Sequence, residues 1–140
     1  MDFINATKVR NEWSSVSESV IRDKPAFIKK TRDFLFLSDI KTLEYFLEAY
    51  NFTADVFIEE DNTVTMSLVE IDIVENAPDE QSAIEKLARS ILDYSEDFYN
   101  DFAYWARGRR KAHIPFVFKS LIFNDVKKIG GMIKCRRGEI

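Results

Sequence analysis

Residues 25–38 constrain this chain more than any other stretch. Pro25-Ala26-Phe27-Ile28 gives way to Lys29-Lys30-Thr31-Arg32, and Asp33-Phe34-Leu35-Phe36-Leu37 follows before Ser38. Two short apolar runs around a polar turn predict a β-hairpin. Its tip carries Lys29, Lys30 and Arg32 in a chain whose net charge is −4. Ahead of it, Asn5 is placed to cap a helix over residues 6–21, with Val9, Trp13, Val16 and Val20 on one stripe. Pro25 ends that helix, because the residue before proline is pushed out of the α region. A short strand over residues 3–5 precedes the helix. Ser38 and Asp39 open a second helix, striped by Leu43, Phe46, Leu47 and Tyr50.

A second unit begins at Asn51. Residues 54–58 and 64–68 flank Glu59-Glu60-Asp61-Asn62 and predict another hairpin. Val69, Ile71 and Ile73 alternate with Glu70 and Asp72, the pattern of a half-buried strand. Asn76-Ala77-Pro78-Asp79 then starts the longest helix, over residues 79–107, striped by Ile84, Leu87, Ile91, Phe98, Phe102 and Trp105. Arg107-Gly108-Arg109-Arg110-Lys111 is a basic loop. Ile114 to Phe123 is apolar, and Pro115 favours helix over strand there. Asn124-Asp125 caps a last short helix, weakened by Gly130-Gly131. The basic tail Lys134-Cys135-Arg136-Arg137 is expected to fray.

The fold class is therefore α+β. A small sheet with two helices fills residues 1–50; a hairpin and strand, a long helix and a helical tail fill residues 51–140. With 46% apolar residues and twelve Phe, the chain can pack a core, and wholesale disorder is excluded. No apolar run reaches the ~18 residues of a membrane span. Met1-Asp2-Phe3 lacks a basic-then-apolar leader, so a cytoplasmic location is expected. The single Cys135 has no internal partner for a disulfide.

Charge is strongly segmented. Residues 1–50 balance 8 cations against 8 anions; residues 51–106 carry 2 against 14; residues 107–140 carry 10 against 2. One surface for a basic partner and another for an anionic one can coexist on such a chain. The plainer alternative is that the middle and the tail neutralise each other within the fold. Asp93, Glu96, Asp97 and Asp101 crowd one side of the long helix and, with Trp105 near its end, are the candidate partner-binding residues. A solvated face is the alternative. Lys8, Arg10, Lys29, Lys30 and Arg32 are the candidate DNA-binding residues, the first two in the first helical turn, where backbone N–H groups favour phosphate.

Catalytic chemistry finds little to work with. His113 is the only histidine, which excludes any site needing two, and neither a phosphate-cradling glycine loop nor a G-x-S-x-G elbow is present. No metal or other cofactor is expected, and the chain is read as non-enzymatic. A metal-dependent nuclease built on the helix carboxylates is the remote alternative.

Ile4-Asn5-Ala6-Thr7-Lys8-Val9-Arg10-Asn11, Ala26-Phe27-Ile28-Lys29-Lys30-Thr31-Arg32 and Phe34-Leu35-Phe36-Leu37-Ser38-Asp39 together resemble the N-terminal half of Phd/YefM-type antitoxins. That family usually places a glycine in the basic turn, where this chain has Thr31-Arg32-Asp33. The order hairpin, strand, acidic loop and Asp79-Glu80-Gln81-Ser82-Ala83-Ile84-Glu85-Lys86-Leu87 helix is similar, more weakly, to HicB-like antitoxin domains. The resemblance implies an antitoxin of a bacterial type II toxin–antitoxin pair. Residues 1–50 would form a homodimer and bind operator DNA for autoregulation. Residues 51–140 would neutralise a cognate, RNA-cleaving toxin. The rival is a non-catalytic dimeric protein-interaction module without DNA binding.

Overall fold

The structure is a computed structural model and describes residues 1–137. The chain divides into two compact units, Met1–Phe46 and Leu47 onward. In unit 1, β1 (Ile4–Asn5) runs parallel to β2 (Ala26–Lys30). β2 pairs antiparallel with β3 (Asp33–Leu37), from Ala26 opposite Leu37 to Lys30 opposite Asp33, so the expected basic hairpin is present. The turn residue Thr31 has φ 58°. That left-handed conformation suits glycine and is an outlier for a β-branched side chain. Thr31→Gly removes a penalty of about 1–2 kcal/mol but adds about 0.5–1 kcal/mol of backbone entropy. A net gain of up to about 1 kcal/mol is therefore expected, read as a higher urea midpoint from Trp13 fluorescence. An unchanged or lower midpoint would mean that the turn is unstrained.

The expected helix over residues 6–21 is two helices. α1 (Ala6–Asn11) stops at Glu12, whose φ of −120° and ψ of 36° leave the helical region, and α2 (Trp13–Arg22) restarts beyond it. Asn5 does cap α1, its side chain accepting from the Thr7 N–H at 2.8 Å. The break rephases the stripe. Val16 and Val20 are buried with Ala26 and Ile28, Val9 sits at the margin, and Trp13 is left 53% exposed. α3 (Ile40–Leu47) begins with Asp39 accepting from the Thr42 N–H. Of its expected stripe only Leu47 is buried; Phe46 is exposed, and Tyr50 lies beyond the helix.

Unit 2 is a four-stranded sheet in the order β6-β5-β4-β7 with helices packed on one face. β4 (Phe52–Ile58) and β5 (Val64–Leu68) form the expected hairpin, Ala54 opposite Leu68 and Ile58 opposite Val64. Asn62, at φ 67°, turns the loop. The expected strand over 69–73 is instead the loop leading to β6 (Val74–Ala77). Leu68 N–H donates to Ile73 O and Ile73 N–H to Ile71 O, a tight reversal that drives Ile71 into the core and leaves Val69 outside. The alternating pattern was thus a loop anchored by one isoleucine.

α4 (Glu80–Asn100) starts as expected, with Asp79 accepting from Ser82 N–H. It stops at Asp101 (φ −132°), short of residue 107. Asn100 and Asp101 are poor helix formers that compete for backbone hydrogen bonds. α5 (Phe102–Trp105) is a single turn, and residues 108–113 form a 3-10 helix after Gly108 at φ 56°. α6 (Ile114–Phe123) carries Pro115 in its first turn. α7 (Val126–Met132) is capped by Asp125, and Gly130 passes Ile84, whose Cγ2 would meet an added Cβ at 3.2 Å.

The tail corrects the expectation most sharply. Instead of fraying, β7 (Ile133–Arg137) pairs parallel with β4, Phe52 opposite Ile133 and Val56 opposite Arg137. Ile133 is buried and Cys135 packs at the core margin, so alternate residues anchor the strand. Arg136 forks onto Asp55 and Arg137 reaches Glu80. The hydrogen bond from Arg136 holds the Asp55 carboxyl below the usual carboxylate range. Among the described residues, middle and tail pair their charges only at these two places. Among the described residues, no helix is long and apolar enough to cross a membrane.

Candidate partner-binding and DNA-binding surfaces

In unit 1, the β1–α1 junction and the hairpin tip face each other. Asn5, Ala6, Thr7, Arg10, Lys29, Lys30 and Thr31 line a shallow cleft of about 550 Å³. Three of the five candidate DNA-binding cations therefore converge. Lys8 opens onto a different cleft with Asp2, Glu12 and Lys24, and Arg32 stands exposed in the turn outside both. Because α1 is only six residues long, Lys8 and Arg10 fall in its last turn, and the Thr7 N–H is already taken by the Asn5 cap. The cleft's attraction for phosphate is thus carried by side-chain cations rather than by a helix terminus. Lys29 Nζ lies 6.0 Å from the Phe34 ring centroid, which steadies one of them.

Register places Phe27, Lys29, Phe34 and Phe36 on the sheet face away from Ala26 and Ile28. Phe3 joins them, with ring centroids 6.1 Å from Phe27 and 5.0 Å from Phe34, and Phe36 continues to Phe46 at 6.4 Å. All five rings are exposed, Phe34 by 60%. Sequence reasoning did not single out this face. The signal was there: runs apolar on both faces belong to strands covered on both faces.

In unit 2, Asp93, Glu96, Asp97 and Asp101 are all exposed toward the C-terminal end of α4. None takes part in an ion pair among the described residues, and neither does any cation of Arg107–Lys111. Arg107 and Arg110 donate instead to the carbonyls of Ala103 and Tyr104. Trp105 is half-buried, packed edge-on to Tyr94 at 5.7 Å and Tyr104 at 5.7 Å. The Arg110 guanidinium lies 5.0 Å from the Trp105 ring and 5.2 Å from Tyr104. Tyr94 OH meets His113 Nδ1 at 2.8 Å; burial pushes the Tyr94 hydroxyl up and holds the His113 imidazole below its ordinary value. His113 and Cys135 thus have separate structural neighbours. Among the described residues, no group of three or more His, Cys, Asp or Glu is placed to hold a metal ion. Sequence reasoning placed Phe102 in the stripe of the long helix and did not single out Tyr99 or Phe118; the three are adjoining rings beside this face.

Exposed carboxylates thus gather on one unit, and a cleft lined by three cations lies on the other. The family model that describes PHD-like antitoxins, "Antitoxin of toxin-antitoxin, RelE / RelB, TA system", matches residues 1–135. The chain belongs to this antitoxin family, and its partner is accordingly a cognate toxin. It is similar to a solved structure from Syntrophomonas wolfei subsp. wolfei, described as an antitoxin part of a proposed toxin/antitoxin system. The two share 31% identity and a TM-score of 0.91, over 99% of this chain and 100% of that one. No curated protein matches the chain. Family membership implies a regulatory role rather than a catalytic one.

Proposed function

We propose that unit 2 neutralises an RNA-cleaving toxin through the carboxylate face of α4, and that unit 1 forms a homodimer that binds operator DNA and represses its own operon. Unit 1 is read as Phd/YefM-type and unit 2 as HicB-like. One observation carries the toxin part: Asp93, Glu96, Asp97 and Asp101 stand exposed at the negative end of a long helix whose last turn has no basic residue. Asp97 and Asp101, in the last turn and at the cap, oppose the helix dipole at about 0.3–1 kcal/mol each, and like charges four apart cost about 0.2–0.5 kcal/mol more. Such a surface destabilises the free chain and attracts a cationic one, and RNA-cleaving toxins need cations to hold RNA.

Opposite effects on the free chain and the complex follow. Asp93→Asn with Asp97→Asn is expected to stabilise the free protein by about 0.5–1 kcal/mol. The same change slows association with the toxin about tenfold at low salt, a difference that closes at high salt. Calorimetry of the free chain and stopped-flow binding check the two halves. A wild-type affinity flat with salt would sink the polyanion-mimic mechanism, though not the pairing.

The cleft of Arg10, Lys29 and Lys30 supports the DNA reading. The dimer reading rests on size. Unit 1 buries only Val16, Val20, Ala26 and Ile28, a small core for its length, while five phenylalanines lie open. A second copy covering that face supplies what the monomer lacks. This observation equally suits a dimeric interaction module without DNA binding, and operator binding separates the two.

A further inference from the structure

We propose that Tyr99, Phe102 and Phe118 form the apolar centre of the toxin-binding face. The toxin surface they receive is apolar in the middle and cationic around it. The inference rests on the toxin-binding reading above and names what that reading lacks, since a rim of carboxylates gives attraction but little lasting grip.

The three rings come from three elements, α4, α5 and α6, and meet at Phe118, which lies 6.1 Å from Tyr99 and 6.0 Å from Phe102. Tyr99 is 56% exposed and Phe102 38%. Beneath them Phe98 is completely buried, 5.8 Å from Phe102, so the trio stands on a rigid floor. Ordering those rings on binding costs little, because they are already held. Glu96 stands one helical turn before Tyr99, and Asp101 directly precedes Phe102. Aromatic anchors inside a charged rim are the arrangement of an interface hot spot.

Charge decides the occupant. Nucleic acid and anionic lipid are repelled by these carboxylates, whereas an arginine-bearing protein surface meets ring and carboxylate together. The ring half of that contact, without the carboxylate, occurs within the chain in Arg110 over Tyr104 and Trp105. A partner's guanidinium on Tyr99 beside Glu96 repeats it.

The test uses the full chain and the purified product of the adjoining gene, with rate constants measured at low and high salt. Tyr99→Ala and Phe102→Ala are each expected to weaken binding about 30-fold or more, as hot-spot residues do. That loss sits in the dissociation rate and persists at high salt, unlike the loss from Asp97→Asn. If the wild type binds and both folded variants stay within about fivefold of it, the aromatic centre is wrong and the toxin reading stands. If the wild type does not bind, both readings fall. Phe102 also covers Phe98, so should Phe102→Ala not fold, Tyr99→Ala decides alone.

Discussion

Phe98→Ala is expected to lower the stability of unit 2 by about 3–5 kcal/mol. Phe98 is fully buried, and its ring is the hub between Tyr94 at 5.8 Å, Phe102 at 5.8 Å and Trp105 at 6.3 Å. The neighbours come from α4 and α5, whose junction at Asp101 has left the helical conformation. Backbone hydrogen bonds run from Asp101 N–H to Asp97 O and from the Tyr104 and Trp105 N–H groups to Asp101 O, so they tie α5 to the cap of α4, and ring packing adds the contact with its body. Truncation leaves a cavity that the surrounding large rings cannot close by small shifts, which puts the cost at the upper end of large-to-small substitutions. A domain of this size has about 5–15 kcal/mol in all, so such a loss is a large share of it. The two tryptophans fall one in each unit, so Trp105 fluorescence in a Trp13→Phe background reports unit 2 alone. A loss below about 1 kcal/mol would mean that the aromatic cluster repacks and that α5 is held by something else.

The second large effect concerns DNA. Replacing Arg10, Lys29 and Lys30 together with alanine is expected to weaken operator binding about 10²–10³-fold. The log–log salt slope should fall by about 3 per protomer, since each phosphate neutralised contributes about 0.9. These three line one cleft, so they can follow a single stretch of backbone. Lys8→Ala should do much less, because Lys8 belongs to another cleft with Asp2 and Glu12 beside it. Quantitative band-shift titrations over a range of salt concentrations give both numbers. Unchanged affinity in the triple variant would place the DNA contact outside this cleft, and no operator binding by the wild type would favour the interaction module without DNA binding.

Where a pattern in the sequence recorded a local choice, it could be read. The basic hairpin, the Asp79 cap, the turn into β5 and the proline-led α6 each depend on a few adjacent residues. What failed depended on distant ones. The stripe of Val9, Trp13, Val16 and Val20 read as one helix because nothing nearby announces the break at Glu12. Val69, Ile71 and Ile73 alternate like a strand, yet only the pairing of Ser67 with Val74 determines that they close a loop. Lys134–Arg137 looked like a loose basic end because its strand partner lies some eighty residues upstream, at Asp55 and its neighbours. Of the candidate sites, the cations and carboxylates were legible as charge, but their grouping was not. Helical spacing alone parts Lys8 from Arg10, but the sequence could not show which of them meets the hairpin tip. It also could not show that rings from α4, α5 and α6 meet beside the carboxylates, since α6 lies a whole loop away from α4.

The parallel pairing of β7 with β4 also places the two units differently in time. Every strand pairing of unit 1 lies between Ile4 and Leu37, so that unit is complete early in synthesis. The β4 edge, finished at Ile58, waits for Arg137, a further stretch of about 80 residues that a ribosome takes roughly 4–16 s to add. Through that interval the nascent chain offers an unpaired β4 edge to proteases and to other strands. The dwell time of a half-made sheet, rather than the stability of the finished one, can then set how much antitoxin each message yields.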